Sequence, residues 1–344
     1  EAPCRIAADH FQQGDLMDYD TVYNFGKKVD LLTFEIEGVN VEALEKLESE
    51  GIKVYPNAAT LRNIQDKGVQ KQFYKDHQIP TSPFKVYKDK YDLNEAIVRK
   101  ELHFPFVWKS CTGGYDGKGV SIVRSAEDVI PLSEGACIAE KLIPFKNELA
   151  VIVARSPSGE VTTYPVVEME FHPEANQVEY VICPARIDDA VAKKARAIAT
   201  EVSESFKHVG LLAVEMFQTE DDEILVNEVA PRPHNSGHYS IEASYTNQFE
   251  QQIRAILDLP LGNTDSKVGG IMVNLVGAEG HTGPVVYKNI KNILKMEGVT
   301  PHIYGKKETR PFRKMGHVTI VNKDLSKARK IAEEVKKTIE VITE

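Results

Sequence analysis

Residues 211–230, "LLAVEMFQTEDDEILVNEVA", hold two apolar runs separated by an acidic turn. This pattern reads as a β-hairpin turning on Asp221 and Asp222. With those two as the loop, facing residue numbers sum to 443, and Glu215 lies opposite Glu228. Opposed residues have Cβ atoms only about 4.5–5.5 Å apart. Two carboxylates so placed among apolar neighbours repel, so either one carries a proton or a divalent cation lies between them. A hard cation completed by phosphate oxygens and water is the Mg²⁺ pattern. The alternative is a slip of one residue in register, which sends the two glutamates to opposite faces.

The segment that follows, "PRPHNSGH" (231–238), is densely polar, so the hairpin leads straight into a cluster with chemistry in it. A chain of 344 residues exceeds one ordinary core and implies several subdomains. Its 42% hydrophobic content excludes a disordered chain. A net charge of −9 argues against broad nucleic-acid or anionic-membrane binding and leaves room for a locally basic pocket. The cysteines at 4, 111, 137 and 183 show no metal-ligand spacing. They read as reduced, buried thiols of a cytoplasmic protein. No stretch approaches a membrane span, and "EAPCRIAADH" has no signal-peptide apolar region. The missing initiator Met implies a fragment or a processed form.

Along the chain, "VDLLTFEIEGV" (29–39) reads as a buried strand of parallel type. The helix "NVEALEKLESEG" follows, with Asn40 as N-cap and Gly51 as C-cap, then the short strand "IKVYP". This βαβ rhythm implies part of a doubly wound unit. A polar helix around 60–78 leads to the proline-punctuated linker "QIPTSPFKV". Short strands and helices occupy 84–142, and further strands, including "ELAVIVARS" and "EVTTYPVVEME", fall in 148–186. Val191, Ala195, Ile198, Val202 and Phe206 recur at helical intervals. The region from about 268 has β-like segments and ends in a Lys-rich helix, whose charges read as solvated. Trp108, in an apolar strand, reads as core.

"KSCTGGYDGKGV" (109–120) packs four glycines into residues 113–119, with lysines at both ends. Its spacing fits neither the P-loop nor the Rossmann fingerprint. Such a loop is either a plain hairpin turn or a backbone cradle for phosphates. Lys109, ending an apolar strand, wants an anionic partner and tilts the balance towards phosphate.

Together, "TGGYDGKG" (112–119), "NEVAPRPHNSGH" (227–238), "QFEQQIRAILDLPLG" (248–262) and "RPFRKMGHV" (310–318) resemble the ATP-grasp superfamily. Within it they resemble the N5-carboxyaminoimidazole ribonucleotide synthetase family. The resemblance implies an α/β (α+β ATP-grasp) fold: a truncated doubly wound N-terminal domain at 1–80, an ATP-grasp lid at 81–145, a core with the metal site at 146–265, and a small β-rich C-terminal domain at 266–344. The implied reaction is ATP-dependent carboxylation of 5-aminoimidazole ribonucleotide with bicarbonate, through carboxyphosphate, in purine biosynthesis.

The resemblance also implies roles. Glu215 and Glu228 hold Mg²⁺, with Mn²⁺ as a substitute. Lys67, Lys109 and the lid residues Gly114, Tyr115, Asp116, Gly117, Lys118 and Gly119 contact the ATP phosphates, and Val120, Asn227 and Glu228 also fall to ATP. Glu140, Lys141, Leu142 and Ile143 meet the adenine, and Glu148 the ribose. His172 is either nucleotide-proximal or an ordinary loop residue. The ribonucleotide falls to Arg232, His234, Asn235, Ser236, Lys306, Arg313 and Lys314, with Tyr115 and Asp116 reaching it from the lid. Asp116, Arg232, His234 and Lys314 form the implied catalytic set. Glu35 is either a ligand group at a strand end or a solvated charge, and "RKMGH" either a phosphate site or a basic turn. A homodimer is implied, with no nucleic-acid or membrane partner.

The chain departs from the family pattern twice. It starts in what looks like the region after the family's opening strand, G-G-G-Q-L-G turn, helix and second strand, which implies loss of that unit. Phe312 stands where the family usually has glycine. Two rivals stay open: an ATP-grasp ligase activating formate or an amino acid, and a catalytically impaired nucleotide-binding fragment.

Overall fold

The computed structural model describes residues 3–114, 119–172 and 177–344. The N-terminal region runs through α1 (Tyr19–Gly26), β1 (Leu31–Leu32), α2 (Val41–Ser49), β2 (Lys53–Val54), α3 (Ala58–Gln65) and α4 (Lys67–Asp76). The strand expected over 29–39 shrinks to two residues, which pair in parallel with β2. Beyond Leu32 the backbone leaves the ladder, and Glu35 lies in the loop, exposed. Asn40 caps α2 by accepting from Ala43 N at 2.9 Å, and Gly51 follows the helix at φ +89°. The single helix expected over 60–78 is two. Asp66 sits extended at φ −122°, ψ 114°, and its carboxylate accepts from Gly68 N at 2.7 Å and Val69 N at 3.0 Å, starting a new helix.

The next region is a four-stranded antiparallel sheet in the order β3-β6-β4-β5, with β3 (Phe84–Tyr87), β4 (Phe106–Ser110), β5 (Val120–Val123) and β6 (Cys137–Lys141). α5 (Lys90–Val98) follows β3. The sheet's core contains Trp108 and Cys137.

The large sheet follows the order β12-β11-β7-β9-β10-β13-β17-β15, with β8 on β7. Its strands are β7 (Phe145–Arg155), β8 (Val161–Thr163), β9 (Val167–Phe171), β10 (Val178–Cys183), β11 (Gly210–Thr219), β12 (Ile224–Ala230), β13 (Gly269–Val276), β15 (Val299–Ile303) and β17 (Lys314–Asn322). "EVTTYPVVEME" breaks into β8 and β9 at Pro165, which has no N–H to donate to a ladder. α6 (Asp189–Phe206) lays Val191, Ala195, Ile198, Val202 and Phe206 against Leu149, Val151, Val153, Leu212, Val214 and Met216. The alternate residues, Ala150, Ile152, Ala154, Leu211 and Ala213, face the other side. There α7 (Ser240–Ala243) and α8 (Gln248–Ile256) cover them.

The C-terminal strands do not stand apart, because β13 pairs with β10 and continues the large sheet. α9 (Ile290–Ile293) and α10 (Leu325–Thr338) accompany them. β14 (Gly283–Lys288), β16 (Glu308–Thr309) and β18 (Glu340–Thr343) form a separate three-stranded sheet. The chain thus ends in a strand, not in the Lys-rich helix, and that helix buries Ala328, Ala332 and Val335 beneath its charged face. All four cysteines are free. Cys4 is exposed, against the expectation of four buried thiols, because only a short 3₁₀ turn surrounds it.

Candidate active site

The hairpin β11–β12 reaches the expected facing pair by an unexpected path. Its loop has three residues: Thr219 N donates to Glu223 O at 2.9 Å, and Asp222 sits at φ +60°. Near the turn, facing numbers therefore sum to 442, as in Met216 with Val226. A bulge at Asn227 then adds a residue, and Glu215 faces Glu228. The apolar pattern explains this. Ile224 and Val226 belong with Met216 in the core under α6, and so does Val229, three residues further on. An unbroken strand would carry Glu228 onto that core face with Ile224 and Val226. The bulge turns Glu228 out beside Glu215, towards the side of α7 and α8.

Burial, and then Glu228 beside it, push the Glu215 carboxyl well above the usual carboxylate range. Lys67 is the main cause that holds Glu228 well below the usual carboxylate range, against burial. Lys67 Nζ donates to Glu228 Oε2; burial is the largest single influence and opposes its charge, but Glu228, Glu140 and Glu215 together raise the ammonium. The two carboxyls are thus pushed in opposite directions, and the lowered one holds the lysine. The bulge also presents Asn227, whose Oδ1 accepts from Lys109 Nζ at 2.7 Å. Lys109 and Lys71 share Glu140 at 3.1 and 3.0 Å, all three buried. Burial alone would raise Glu140, but the two lysines hold it below the usual range. Lys71 is lowered to about 8, chiefly by burial.

Of these groups Lys67, Glu215 and Glu228 border a cleft of about 790 Å³, whose lining also includes Gly113, Gly114, Arg232, His234, Asn235 and Lys314. Arg232 Nε donates to Glu37 Oε1 at 2.8 Å. His234 Nε2 lies 3.4 Å from Glu215 Oε1, and burial is the main cause lowering that imidazole to about 3. Its Nδ1 faces Ser236, with Oγ at 2.9 Å and the backbone N–H at 3.3 Å. An N–H only donates, so Nδ1 accepts and the ring proton sits on Nε2, towards Glu215. Asn235 and Asn274 exchange amide hydrogen bonds, both at 2.9 Å.

Other expected residues fall as follows. Gly119, at φ +77°, closes the hairpin by accepting from Ser110 N at 2.9 Å, and Val120 pairs with Lys109. The glycine-rich loop therefore joins two strands and also borders the cleft. Tyr115, Asp116, Gly117 and Lys118 lie outside the described residues. Lys141 N donates to Pro83 O at 2.8 Å, and Leu142 and Ile143 link β6 to β7. Glu148, on β7, is pushed up to about 7 by burial. Ser236 is buried behind His234. Lys306 Nζ donates to Lys314 O at 2.7 Å. Arg313 does not border the cleft, and its guanidinium donates to Glu308 O at 2.6 Å. His172 lines a second cavity of about 230 Å³ together with Phe312, their rings 6.3 Å apart.

Sequence reasoning missed Glu37, Lys71, Asn274 and Gln248. Only Glu37 had a local signal, two residues from Glu35 in "FEIEG".

A buried strand lysine, a glycine-rich stretch whose Gly113 and Gly114 border a cleft, and a facing carboxyl pair on neighbouring strands define an ATP-grasp protein. A model of the ATP-grasp domain matches residues 72–249, and two others flank it: the ribonucleotide synthetase preATP-grasp domain at 1–65 and the phosphoribosylaminoimidazole carboxylase C-terminal domain at 270–331. The N5-carboxyaminoimidazole ribonucleotide synthase of Bacillus subtilis is 38% identical over 326 residues, covering 93% of this chain and 83% of that one. The crystal structure of the N5-carboxyaminoimidazole ribonucleotide synthetase from Thermotoga maritima superposes with a TM-score of 0.88 at 44% identity, covering 96% of this chain and 86% of that one. The Aspergillus clavatus synthase, in complex with ADP and 5-aminoimidazole ribonucleotide, gives 0.88 at 32% identity, over 97% and 88%. The chain belongs to the N5-carboxyaminoimidazole ribonucleotide synthetase family. It spans 56% of the phosphoribosylaminoimidazole carboxylase of Candida glabrata, at 38% identity over 92% of its own length. No helix among the described residues is long and apolar enough to cross a membrane.

Proposed function

We propose that this chain carboxylates 5-aminoimidazole ribonucleotide, using ATP and bicarbonate, in purine biosynthesis. A bicarbonate oxygen attacks the γ-phosphorus of ATP and ADP leaves, forming carboxyphosphate. The substrate amine then captures the carboxyl carbon, phosphate departs, and the amine loses a proton. Such chemistry needs positioning and charge neutralisation more than a covalent enzyme intermediate. The observation that carries this reading is the Glu215–Glu228 pair, which borders one cleft together with Arg232, His234, Asn235 and Lys314.

The donor set fits Mg²⁺ or Mn²⁺, because a cation between the two carboxyls relieves the repulsion that helps raise Glu215. Among the described residues no group of three or more His, Cys, Asp or Glu could hold a metal, so phosphate oxygens and water would complete the shell. When bound, the metal supplies charge neutralisation to the phosphates. Lys67 and Lys109 neutralise phosphate oxygens, with Glu148 on the ribose and residues 140–143 on the adenine. Residues 114–120, which include Tyr115, Asp116, Gly117 and Lys118, are assigned to the phosphates. Arg232 and Lys314 are assigned to the ribonucleotide, with Lys306 held on Lys314 O; Arg313, away from the cleft, is not. The neutral His234 offers Nε2–H beside Glu215, and Asn235 and Ser236 orient the reacting groups.

The fourfold division at 80, 145 and 265 is part of this reading; the separate sheet of β3–β6 supports the segment 81–145, while the large sheet runs across 265. A homodimer is supported by Phe249 and Ile253 on α8 and Leu257 at its C-cap, which recur every four residues and are exposed. Cytoplasmic placement is supported by the four free cysteines.

The test is ADP release with Mg²⁺, ATP and bicarbonate, with and without 5-aminoimidazole ribonucleotide. Release that requires the ribonucleotide supports the assignment. Release driven instead by formate and another amine would replace it with a different ATP-grasp ligase.

A further inference from the structure

Three glutamines of α8 are buried, and each grips a backbone segment. Gln251 accepts from Gly262 N at 2.8 Å and donates to Gly262 O at 3.1 Å. Gln252 accepts from Leu211 N at 2.7 Å. Gln248 grips the functional loop itself: Oε1 accepts from His234 N at 2.8 Å, while Nε2 donates to His234 O at 2.9 Å and meets His238 Nδ1 at 2.9 Å. A backbone N–H only donates and a carbonyl only accepts, so the amide has one possible orientation. Both of its N–H bonds are then used, and His238 Nδ1 must be an acceptor with its ring proton on Nε2.

The surrounding loop is shaped around this side chain. Gln248 N donates to Ser240 Oγ at 3.0 Å, and Ser240 Oγ donates to Gly237 O at 2.6 Å. A Cβ on Gly237 would lie 2.4 Å from Gln248 Oε1 and 2.2 Å from Ile152 Cδ1, so only glycine lets the loop close on the amide. His238 in turn stacks on His317 at 4.7 Å, and His317 on His302 at 4.5 Å, tying the loop to β17 and β15.

We infer that Gln248 is a positioning residue for the reaction proposed above: its amide fixes the backbone of His234 and the tautomer of His238, and so sets where the His234 ring sits beside Glu215. Gln248 does not border the cleft and acts only through the loop. The inference rests on that functional reading for its kinetic arm and on geometry alone for its spectroscopic arm.

The experiment compares Q248L with Q251L, which removes an equivalent buried clamp from the same helix but leaves the His234 loop alone. Q248L is expected to lower ribonucleotide-dependent kcat by about 10- to 100-fold, with the ATP Kd and the kcat of Q251L each within about threefold of wild type. In ¹⁵N-histidine-labelled protein, His238 changes from a single Nε2–H pattern to a mixture of tautomers in Q248L alone. Equal kinetic losses in the two variants, or an unchanged His238 pattern in Q248L, overturn the inference. If Q248L does not fold, Q248E is read in the same way, since it keeps the acceptor for His234 N–H and loses the donor. A wild type without ribonucleotide-dependent ADP release refutes the functional reading instead, and the His238 pattern still decides the clamp.

Discussion

Phe312 has φ +61°, in the left-handed region where a side chain is strained. It is the third residue of the turn Arg310–Arg313, with Pro311 before it and Arg313 N donating to Arg310 O at 3.0 Å, the arrangement of a type II turn. The turn is held in place from outside as well, since Phe312 N donates to Gly277 O and Gly277 N to Arg313 O, both at 2.9 Å. Replacing Phe312 by glycine removes roughly 1–2 kcal/mol of backbone strain and adds roughly 0.5–1 kcal/mol of unfolded-chain entropy. Replacing it by alanine keeps the strain. Either change loses the half-buried ring, worth about 1–1.5 kcal/mol, or half of a fully buried phenylalanine. F312G is thus expected within about 1 kcal/mol of wild type, and above F312A by roughly 0.5–1 kcal/mol. Elsewhere in a chain alanine outranks glycine, so the sign of the difference is the diagnostic. Urea unfolding of the two variants under matched conditions measures it from the midpoints at a shared slope. F312A as stable as F312G, or more so, would refute the claim that this position demands a left-handed backbone.

Three further outcomes are expected. In K71M, Glu140 depends on Lys109 alone, so drawing Lys109 onto phosphate would strand a buried carboxylate; the ATP Kd, by equilibrium dialysis, should rise about 10- to 100-fold, a fraction of the 3–5 kcal/mol for a fully broken buried pair. Glu148 binds its proton up to about pH 7 in the folded chain but only to about 4.5 unfolded, so it costs stability as pH rises through that window. The ionised form is the better acceptor for ribose hydroxyls, so ATP should bind more tightly from pH 6 to 8 in wild type, about tenfold at most, and E148Q should flatten that slope. His208, lowered to about 4 mainly by burial, stays neutral while the unfolded chain takes up a proton below 6.5; stability should therefore fall from pH 6.5 to 4, by about 1.4 kcal/mol per unit at most, and H208Q should reduce that loss in urea titrations.

Periodicity made the long elements legible. The helix at Asp189–Phe206 and the strands of the hairpin followed from spacing alone, since α6 and β11 bury the residues that their periods select. Short elements were not legible in the same way. "VDLLTFEIEGV" has the composition of a buried strand, yet only Leu31 and Leu32 find a partner, because β2 offers just two residues to pair with. The split between α3 and α4 turned on Asp66, whose capping carboxylate competes with a continuous helix. In the site, acids and bases carried on motifs could be named in advance. Gln248 and Asn274 could not, because an uncharged amide announces nothing until its partners are brought to it from 14 and 39 residues away.

The sequence by itself determined that two carboxylates had to be accommodated in an apolar hairpin, and that lysines and glycines lay ready for phosphate. Local composition carries that information, because the cost of burying charge does not depend on where the chain goes next. Only the tertiary structure decided how the glutamates meet. A three-residue loop and a bulge at Asn227 offset each other, and their balance is set by which side chains α6 covers. Packing against a helix some 20 residues earlier in the chain selects the face of Ile224, Val226 and Val229, and Glu228 takes the face that remains.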